Sequence, residues 1–321
     1  MEKRNRVWVN YLLDYGIVVV LVALVAIFSV TSSKFFSVST MFTIMRQVAV
    51  TGIISVGMTF VMLTGGIDLS VGSVAGVASV LGAVIMLSGM PILPACLLVA
   101  LISVGLGLLN GICVNVFNIP PLIGTLGVMT SLRGFAYLIS NGVPVYGFDP
   151  SFKQFAQGTL GPIPYPVLLL AAVFLIGGYI LMKTRTGRYI YGVGGNEEAS
   201  RLSGVNVRKI KYIVYGVSGL LSGIAGLVLL ARTNSGQPSA GAGYEMDAIT
   251  AVVLGGVSIN GGKGNIWLVI VGVFIMGTLS TGMIMNNIND YVQQVIKGIV
   301  LIGAVAFAQF SQKVKARNIV V

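Results

Sequence analysis

The sequence predicts an all-α integral membrane protein of about ten transmembrane helices. Hydrophobic residues make up 55% of the 321 residues and charged residues only 9%, against roughly 25% charged residues in an ordinary soluble domain. Apolar runs recur along the chain, many of them close to the roughly 20 residues that an α-helix needs to cross a bilayer. These runs are too long and continuous for barrel strands, so helices are the expected way to satisfy the backbone in lipid.

The apolar runs place ten spans in a single polytopic domain that covers residues 1–321. The predicted spans are 12–31, 40–63, 70–89, 92–116, 120–141, 164–183, 210–231, 245–260, 265–286 and 290–310. The eighth is only about 16 residues long, so it is either a tilted or re-entrant piece or a short crossing. The 43 glycines would let helix backbones approach closely within the membrane.

The basic residues predict the orientation of the chain. With the N-terminus inside, fourteen of the twenty Lys and Arg residues fall on inner segments, three on outer loops and three within spans. Since basic loops are retained in the cytoplasm, the N-terminus 1–11, the loop 183–211 and the tail 311–321 are predicted to be cytoplasmic. Topology and anionic membrane lipid explain these charges better than a nucleic-acid partner does, so none is expected.

The loop 183–211 contains a short helix with both of its ends marked. Asn196 suits an N-cap, and acidic residues follow in the first turn, where they meet the positive end of the helix dipole. Gly204 suits the left-handed residue that ends a helix. A capped helix on a charged loop is typical of a docking surface, and the alternative is an amphipathic linker that lies on the membrane.

Two predicted inner turns, 65–72 and 255–262, share the pattern Gly-Gly-aliphatic-polar-aliphatic-polar-x-Gly. The likeness is short enough to arise by chance, but internal duplication is common in transporters. The glycines would allow broken helices whose backbone groups line a polar cavity.

The chain lacks the motifs of an energy-converting enzyme. The sequence 260–264 departs from a phosphate-binding loop at its first glycine and at Gly264, where Ser or Thr would hold magnesium. There is no histidine, and no metal or cofactor is expected to bind. Asp14, Asp68 and Asp247 are predicted at span ends within reach of water, so the interior is not expected to carry the acids of an ion-driven carrier.

Three segments closely resemble the ribose/xylose/galactoside permease family of ABC importers. They are 57–72, which contains TGGIDLSVG, 194–206, with the sequence GGNEEASRLSGVN, and 244–256, followed by GGKG at 261–264. The resemblance extends from about residue 35 to residue 310, with the motifs in family order.

The resemblance implies a fold like that of the larger, type II-like importers. It also implies pairing with a second copy or a homologous permease, cytoplasmic ABC ATPases that use ATP and Mg²⁺, and an extracytoplasmic solute-binding protein. The implied cellular location is the bacterial cytoplasmic membrane, and the implied solute is a monosaccharide such as ribose, xylose or galactose. A nucleoside or signalling sugar is the alternative solute, an ion-coupled secondary carrier is the rival transporter, and a membrane scaffold is the third possibility.

Two sets of residues are candidates for function. The resemblance makes the short helix a coupling helix that fits a groove on the ATPase. Its residues are Gly194, Gly195, Asn196, Glu197, Glu198, Ala199, Arg201, Leu202 and Gly204. The candidate pathway or gate residues are Asp68, Ser70, Asn110, Thr130, Arg133, Glu245 and Asp247.

Each pathway candidate also has a structural interpretation. Asp68 could simply cap a turn with Ser70. Arg133 lies deep in a span and needs a partner or a cavity, whereas Arg46 and Lys297 are expected to extend to the outer interface. Most hydroxyl and amide side chains within spans are expected to hold helices together.

Overall fold

The computed structural model describes the backbone of residues 2–319 and the side chains of residues 16–310. Helices dominate, which confirms the predicted all-α class. Their bounds are α1 Glu2–Thr31, α2 Val38–Leu63, α3 Val71–Leu87, α4 Ile92–Asn115, α5 Pro121–Ile139, α6 Gln154–Gln157, α7 Tyr165–Lys183, α8 Arg185–Gly195, α9 Glu197–Leu202, α10 Val207–Thr233, α11 Tyr244–Leu254, α12 Ile266–Met285 and α13 Asp290–Ile319.

The long connection between α5 and α7 holds the small non-helical elements. A 3₁₀ turn at Pro150–Lys153 precedes α6, and two short antiparallel strands follow, β1 Thr159–Leu160 and β2 Ile163–Pro164. We call the end of the bundle that carries this hairpin the hairpin end, and the opposite end, which carries α8 and α9, the α9 end.

Seven helices in the described part of the chain are long and apolar enough to cross a membrane. They are α2, α4, α5, α7, α10, α12 and the Asp290–Phe310 portion of α13. The Gly16–Thr31 portion of α1 and α3 are apolar but shorter. Each of the ten predicted spans overlaps a helix, but α11 has only 11 residues and is about 16 Å long, half of what a crossing requires. Ten crossings therefore remain a prediction.

The helices form an inner and an outer set. In α2, α10 and α12 most of the membrane-length window is buried, whereas α4, α5, α7 and α13 are mostly exposed. The exposed residues of the outer set are largely Leu, Ile, Val and Phe. Apolar surface of this kind is solvated by lipid chains, so the fold needs no water-facing polar shell over most of its perimeter.

Small residues bring α4 and α10 into backbone contact. A Cβ on Gly107 would collide with the Tyr215 carbonyl oxygen, and a Cβ on Gly219 would collide with the Ser103 carbonyl oxygen. The crossing therefore leaves no room for a side chain at either glycine, and membrane proteins use glycine in this way to bring helices together.

The segment that leads into α11 enters the bundle from the hairpin end. Gly236 pairs with Val145 through two backbone hydrogen bonds of 2.9 Å, and the chain then follows α3 inwards. The Pro238 carbonyl oxygen lies 3.1 Å from the position of a Cβ on Gly76, and Gly241 lies against Gly72. Helix α11 therefore begins part-way along the depth of the bundle, level with Gly72, and runs back towards the α9 end along α12. Its predicted span 245–260 ends early, at Leu254.

Candidate coupling surface and membrane-embedded polar clusters

The caps of helix α9 are those that the sequence predicts. The Ala199 N–H donates to the Asn196 side-chain oxygen at 2.9 Å. At the other end Gly204 has a φ of +83°, and the Gly204 and Val205 amides donate to the carbonyls of Arg201 and Ser200. Side-chain capping at one end and a left-handed glycine at the other let this helix of six residues exist without packing support.

Helix α9 lies on the surface, and one ion pair joins it to α10. Five of its six residues are exposed and Ser200 is partly exposed; Leu202 has 80% of its surface free. The Lys211 ammonium group at the start of α10 lies 2.9 Å from Glu197, whereas Glu198 and Arg201 pair with each other, 2.7 Å apart, on the exposed surface. An exposed pair within the helix such as the second contributes little stability. The Glu197–Lys211 pair is the ion pair that links α9 to another helix.

The glycines before α9 lie where three inner segments meet. A Cβ on Gly194 would collide with the Leu63 carbonyl oxygen at the end of α2 and would lie 2.5 Å from the amide nitrogen of Gly262. That Gly262 amide donates to the same Leu63 carbonyl at 2.9 Å. The two Gly-Gly turns that look alike in the sequence therefore lie together at the α9 end, with the α9 loop packed on both. We call this contact the glycine junction.

Asp68 lies at the centre of a closed hydrogen-bonded cluster and is only 1% exposed. Its Oδ1 accepts from the Ser70 amide at 3.0 Å, the Ser70 hydroxyl at 2.6 Å and the Asn110 amide at 3.2 Å. Its Oδ2 accepts from the Ser218 hydroxyl of α10 at 2.7 Å. The prediction that Asp68 is within reach of water is wrong, because α4 and α10 cover the turn and their donors replace water.

Two ion pairs join the first turn of α11 to the outer helices. Arg133 Nη2 of α5 lies 3.3 Å from Glu245 Oε1, and Lys297 Nζ of α13 lies 2.7 Å from Asp247 Oδ2. We call these four residues the ion-pair layer. Arg133 precedes the end of α5 by six residues and Lys297 follows the start of α13 by seven, so both lie about 10 Å inside the hairpin end.

Several predictions about charged residues within the spans are wrong. Lys297 does not extend to the interface, because the Asp247 carboxylate holds it. Arg46 donates to the Gln157 backbone carbonyl of the hairpin-end connection at 3.1 Å, which agrees with its predicted reach towards the outer end. Glu245 and Asp247 are each only 6% exposed, so the interior does contain carboxylates. The side chain of Asp14 lies outside the described residues. A lysine well inside an apolar run was the signal that could have predicted a carboxylate partner.

The remaining polar candidates divide between helix contacts and an exposed face. Asn115 donates to the Arg208 carbonyl at 3.1 Å, and Thr125 bonds the turn before α3 through Ile67 and Leu69, so both hold helices together as predicted. Thr130 is exposed, three residues before Arg133 on α5, and bonds only the Leu126 carbonyl of its own helix.

Among residues 16–310, Cys, Asp and Glu side chains form no group of three or more that could hold a metal ion. The candidate site consists of the exposed helix α9, the glycine junction, the enclosed Asp68 cluster and the ion-pair layer. Together with the spans, these features indicate a polytopic membrane protein.

The chain belongs to the family described as the branched-chain amino acid transport system permease component, which matches residues 40–305. It is 42% identical over 299 residues to the ribose import permease protein of Escherichia coli K12, covering 92% of this chain and 93% of that protein. The ribose import permease protein of Bacillus subtilis 168 is 41% identical over 284 residues, or 88% of each chain. The L-arabinose transport system permease protein of E. coli K12 is 38% identical over 311 residues, covering 97% and 94%. No solved structure matches the chain. The ABC permease family indicated by the three motifs is confirmed.

Proposed function

We propose that this chain is the membrane-spanning subunit of an ATP-driven, binding-protein-dependent importer for a monosaccharide of the ribose or arabinose kind. The family description refers to branched-chain amino acids. The relatives aligned over about nine-tenths of the chain are instead ribose and arabinose permeases. Similarity at this level over most of the chain favours a sugar over a branched-chain amino acid as the solute.

The observation that supports ATP coupling is the exposure of helix α9. A helix of six residues that is capped at both ends, exposed along its length and tied to α10 by one ion pair contributes little to the bundle itself. Such a helix is suited to insert as a rigid element into a groove on a partner protein. The partner would be the cytoplasmic ATPase that binds and hydrolyses Mg²⁺-ATP. The basic residues around it favour a cytoplasmic position for the α9 end.

The glycine junction provides a route by which a movement of α9, imposed by the ATPase, would reach the core of the bundle. Helix α2 is largely buried, and its last carbonyl contacts the glycines before α9 and the turn after α11. A displacement of α8 and α9 by the ATPase would therefore act on α2 and α11 at once. In our proposal this displacement drives alternating access in a pair of permease subunits, with solute delivered by the binding protein at the hairpin end.

We assign the two polar clusters different roles in this cycle. The cluster of Asp68, Ser70 and Asn110 is enclosed by helices and holds the turn before α3 in place. The face of α5 that carries Thr130 and Arg133 lines the pathway, together with Glu245 and Asp247 on α11. The cations paired with these carboxylates, Arg133 and Lys297, are partly accessible from the surface of a single subunit.

The experiment that tests coupling is the substitution Leu202→Asp. The permease, its ATPase and its binding protein are reconstituted in liposomes, and ATP hydrolysis is measured with the binding protein empty or loaded with D-ribose or L-arabinose. We expect Leu202→Asp to lose the stimulated hydrolysis and co-purification with the ATPase while it still inserts into the membrane. The matched control is Leu160→Asp, on an exposed leucine at the end of the bundle opposite the ATPase, which should keep co-purification with the ATPase.

Two outcomes would count against the proposal. Unchanged co-purification and stimulation in Leu202→Asp would reject α9 as the docking element. Absence of stimulation of the unsubstituted system by any pentose or hexose would reject the sugar assignment and leave the coupling question to be answered with another solute.

A further inference from the structure

The two cations of the ion-pair layer lie well inside the bundle and are nevertheless partly exposed. This combination is unfavourable for charged side chains that face lipid. The Arg133 side chain is 41% exposed and the Lys297 side chain 25% exposed in a single subunit, although both lie about 10 Å inside the hairpin end. Charged side chains at such depth face water or protein rather than hydrocarbon. The surface between α5 and α13 is therefore expected to face water or another protein subunit rather than lipid.

The exposed tip of α11 lies at the centre of this surface. Ala242, Gly243 and Met246 are exposed, while Glu245 and Asp247 on either side of Met246 turn inwards to Arg133 and Lys297. The two carboxylates are thus buried beneath the two cations, and the layer carries no net charge. Each pair joins α11 to a different outer helix, so the layer fixes the tip from both sides.

We infer that the ion-pair layer is a solute-contact constriction that selects uncharged, polyhydroxylated molecules. This inference rests on the proposed function and adds to it a site and a basis for selectivity. Solute hydroxyl groups can accept hydrogen bonds from the partly exposed Arg133 and Lys297, and hydrogen bonds to charged groups are stronger than neutral ones. A charged solute would be attracted by one member of each pair and repelled by the other, with no counter-ion to match its own charge.

Cysteine labelling tests this inference independently of transport. The native cysteines, Cys96 and Cys113, are both free thiols and are first replaced by alanine. Met246→Cys is then introduced into the full transporter in membranes. Labelling rates are measured with two methanethiosulfonate reagents, one bearing a sulfonate and one a trimethylammonium group. We expect both hydrophilic reagents to label Met246→Cys, and D-ribose with its binding protein to slow the labelling. Ile302→Cys, on the exposed apolar face of α13, should stay unlabelled.

The charge of the layer is read from the ratio of the two labelling rates. In the Glu245→Gln background Arg133 loses its partner. The ratio of the labelling rate of the anionic reagent to that of the cationic reagent should therefore rise about tenfold. Lys297→Gln leaves Asp247 unpaired and should shift the ratio in the opposite direction. The double exchange Arg133→Glu with Glu245→Arg should restore the starting ratio.

The outcomes separate this inference from the proposed function. Lack of labelling at Met246→Cys, or a ratio that moves in the same direction in Glu245→Gln and Lys297→Gln, would overturn the inference. A failure of the proposed function would appear instead as the absence of ATPase stimulation by D-ribose in the cysteine-free protein. The labelling ratio does not depend on that stimulation, so the two failures can be told apart.

Discussion

At the scale of single residues, the buried carboxylates are stabilised in two different ways. Asp68 is surrounded by neutral donors from its own turn, α4 and α10. Glu245 and Asp247 instead have cations from other helices. A buried carboxylate with several donors orders the groups around it, and its removal leaves those donors unpaired in a region without water.

Replacing Asp68 should therefore destabilise the fold. We expect Asp68→Ala to lower the free energy of unfolding by about 3 kcal/mol, because Asn110 and Ser218 lose their acceptor. The measurement is the midpoint of thermal unfolding of the purified protein in detergent. Asp290→Ala removes an exposed carboxylate from the first turn of α13 and should leave the midpoint nearly unchanged. Equal midpoints for the two variants would show that the Asp68 cluster is not a structural support.

At the scale of elements, the crossing of α4 and α10 depends on the absence of side chains. Gly107 and Gly219 lie with their backbones in contact, whereas a Cβ on Gly105 of the same helix would point into open space among the described residues. Gly105 and Gly107 are therefore the same residue type on the same helix, but only Gly107 lies in a close backbone contact. They offer a matched pair for measuring the worth of a close helix contact.

We expect Gly107→Val to weaken the α4–α10 contact, since the added atoms collide with backbone that is unable to move without displacing a helix. The cost should be about 3 kcal/mol or more, read as a lower unfolding midpoint and a smaller monodisperse fraction in size-exclusion chromatography. Gly105→Val should behave like the unsubstituted protein, because its side chain would extend from the outer surface of α4. Equal effects at both positions would contradict the close crossing.

At the scale of the whole molecule, the two ends of the bundle differ in chemistry. The α9 end gathers the basic loop 183–211 and the glycine junction. The hairpin end carries the connection between α5 and α7, which pairs through Val145 with the segment that leads into α11. The proposed orientation puts the first end towards the ATPase and the second towards the binding protein.

The orientation is tested by labelling intact cells with a membrane-impermeant maleimide, again in the cysteine-free background. Leu160→Cys should react from outside, and Leu202→Cys should react only after the membrane is permeabilised, because basic loops are retained in the cytoplasm. Both leucines are exposed, so a difference in labelling reports their side of the membrane rather than burial. The reverse pattern would invert the orientation and with it the proposed coupling surface.

Features encoded by neighbouring residues could be predicted from the sequence. The apolar runs located the helices because a span depends only on the hydrophobicity of about 20 consecutive residues. Asn196 and Gly204 predicted the caps of α9 because capping involves residues three or four positions apart. The pairing of Lys297 with Asp247 could not be predicted in the same way, since fifty residues separate them.

The sequence by itself determined that this chain is a helical membrane permease with a capped helix on a basic loop and with the motifs of its family. Only the tertiary structure decided that Asp68 is enclosed, that α11 begins within the bundle, and that two cations inside the hairpin end have carboxylate partners. The physical reason is that hydropathy and capping act along the chain, whereas the fate of a buried charge depends on which distant helix supplies its partner.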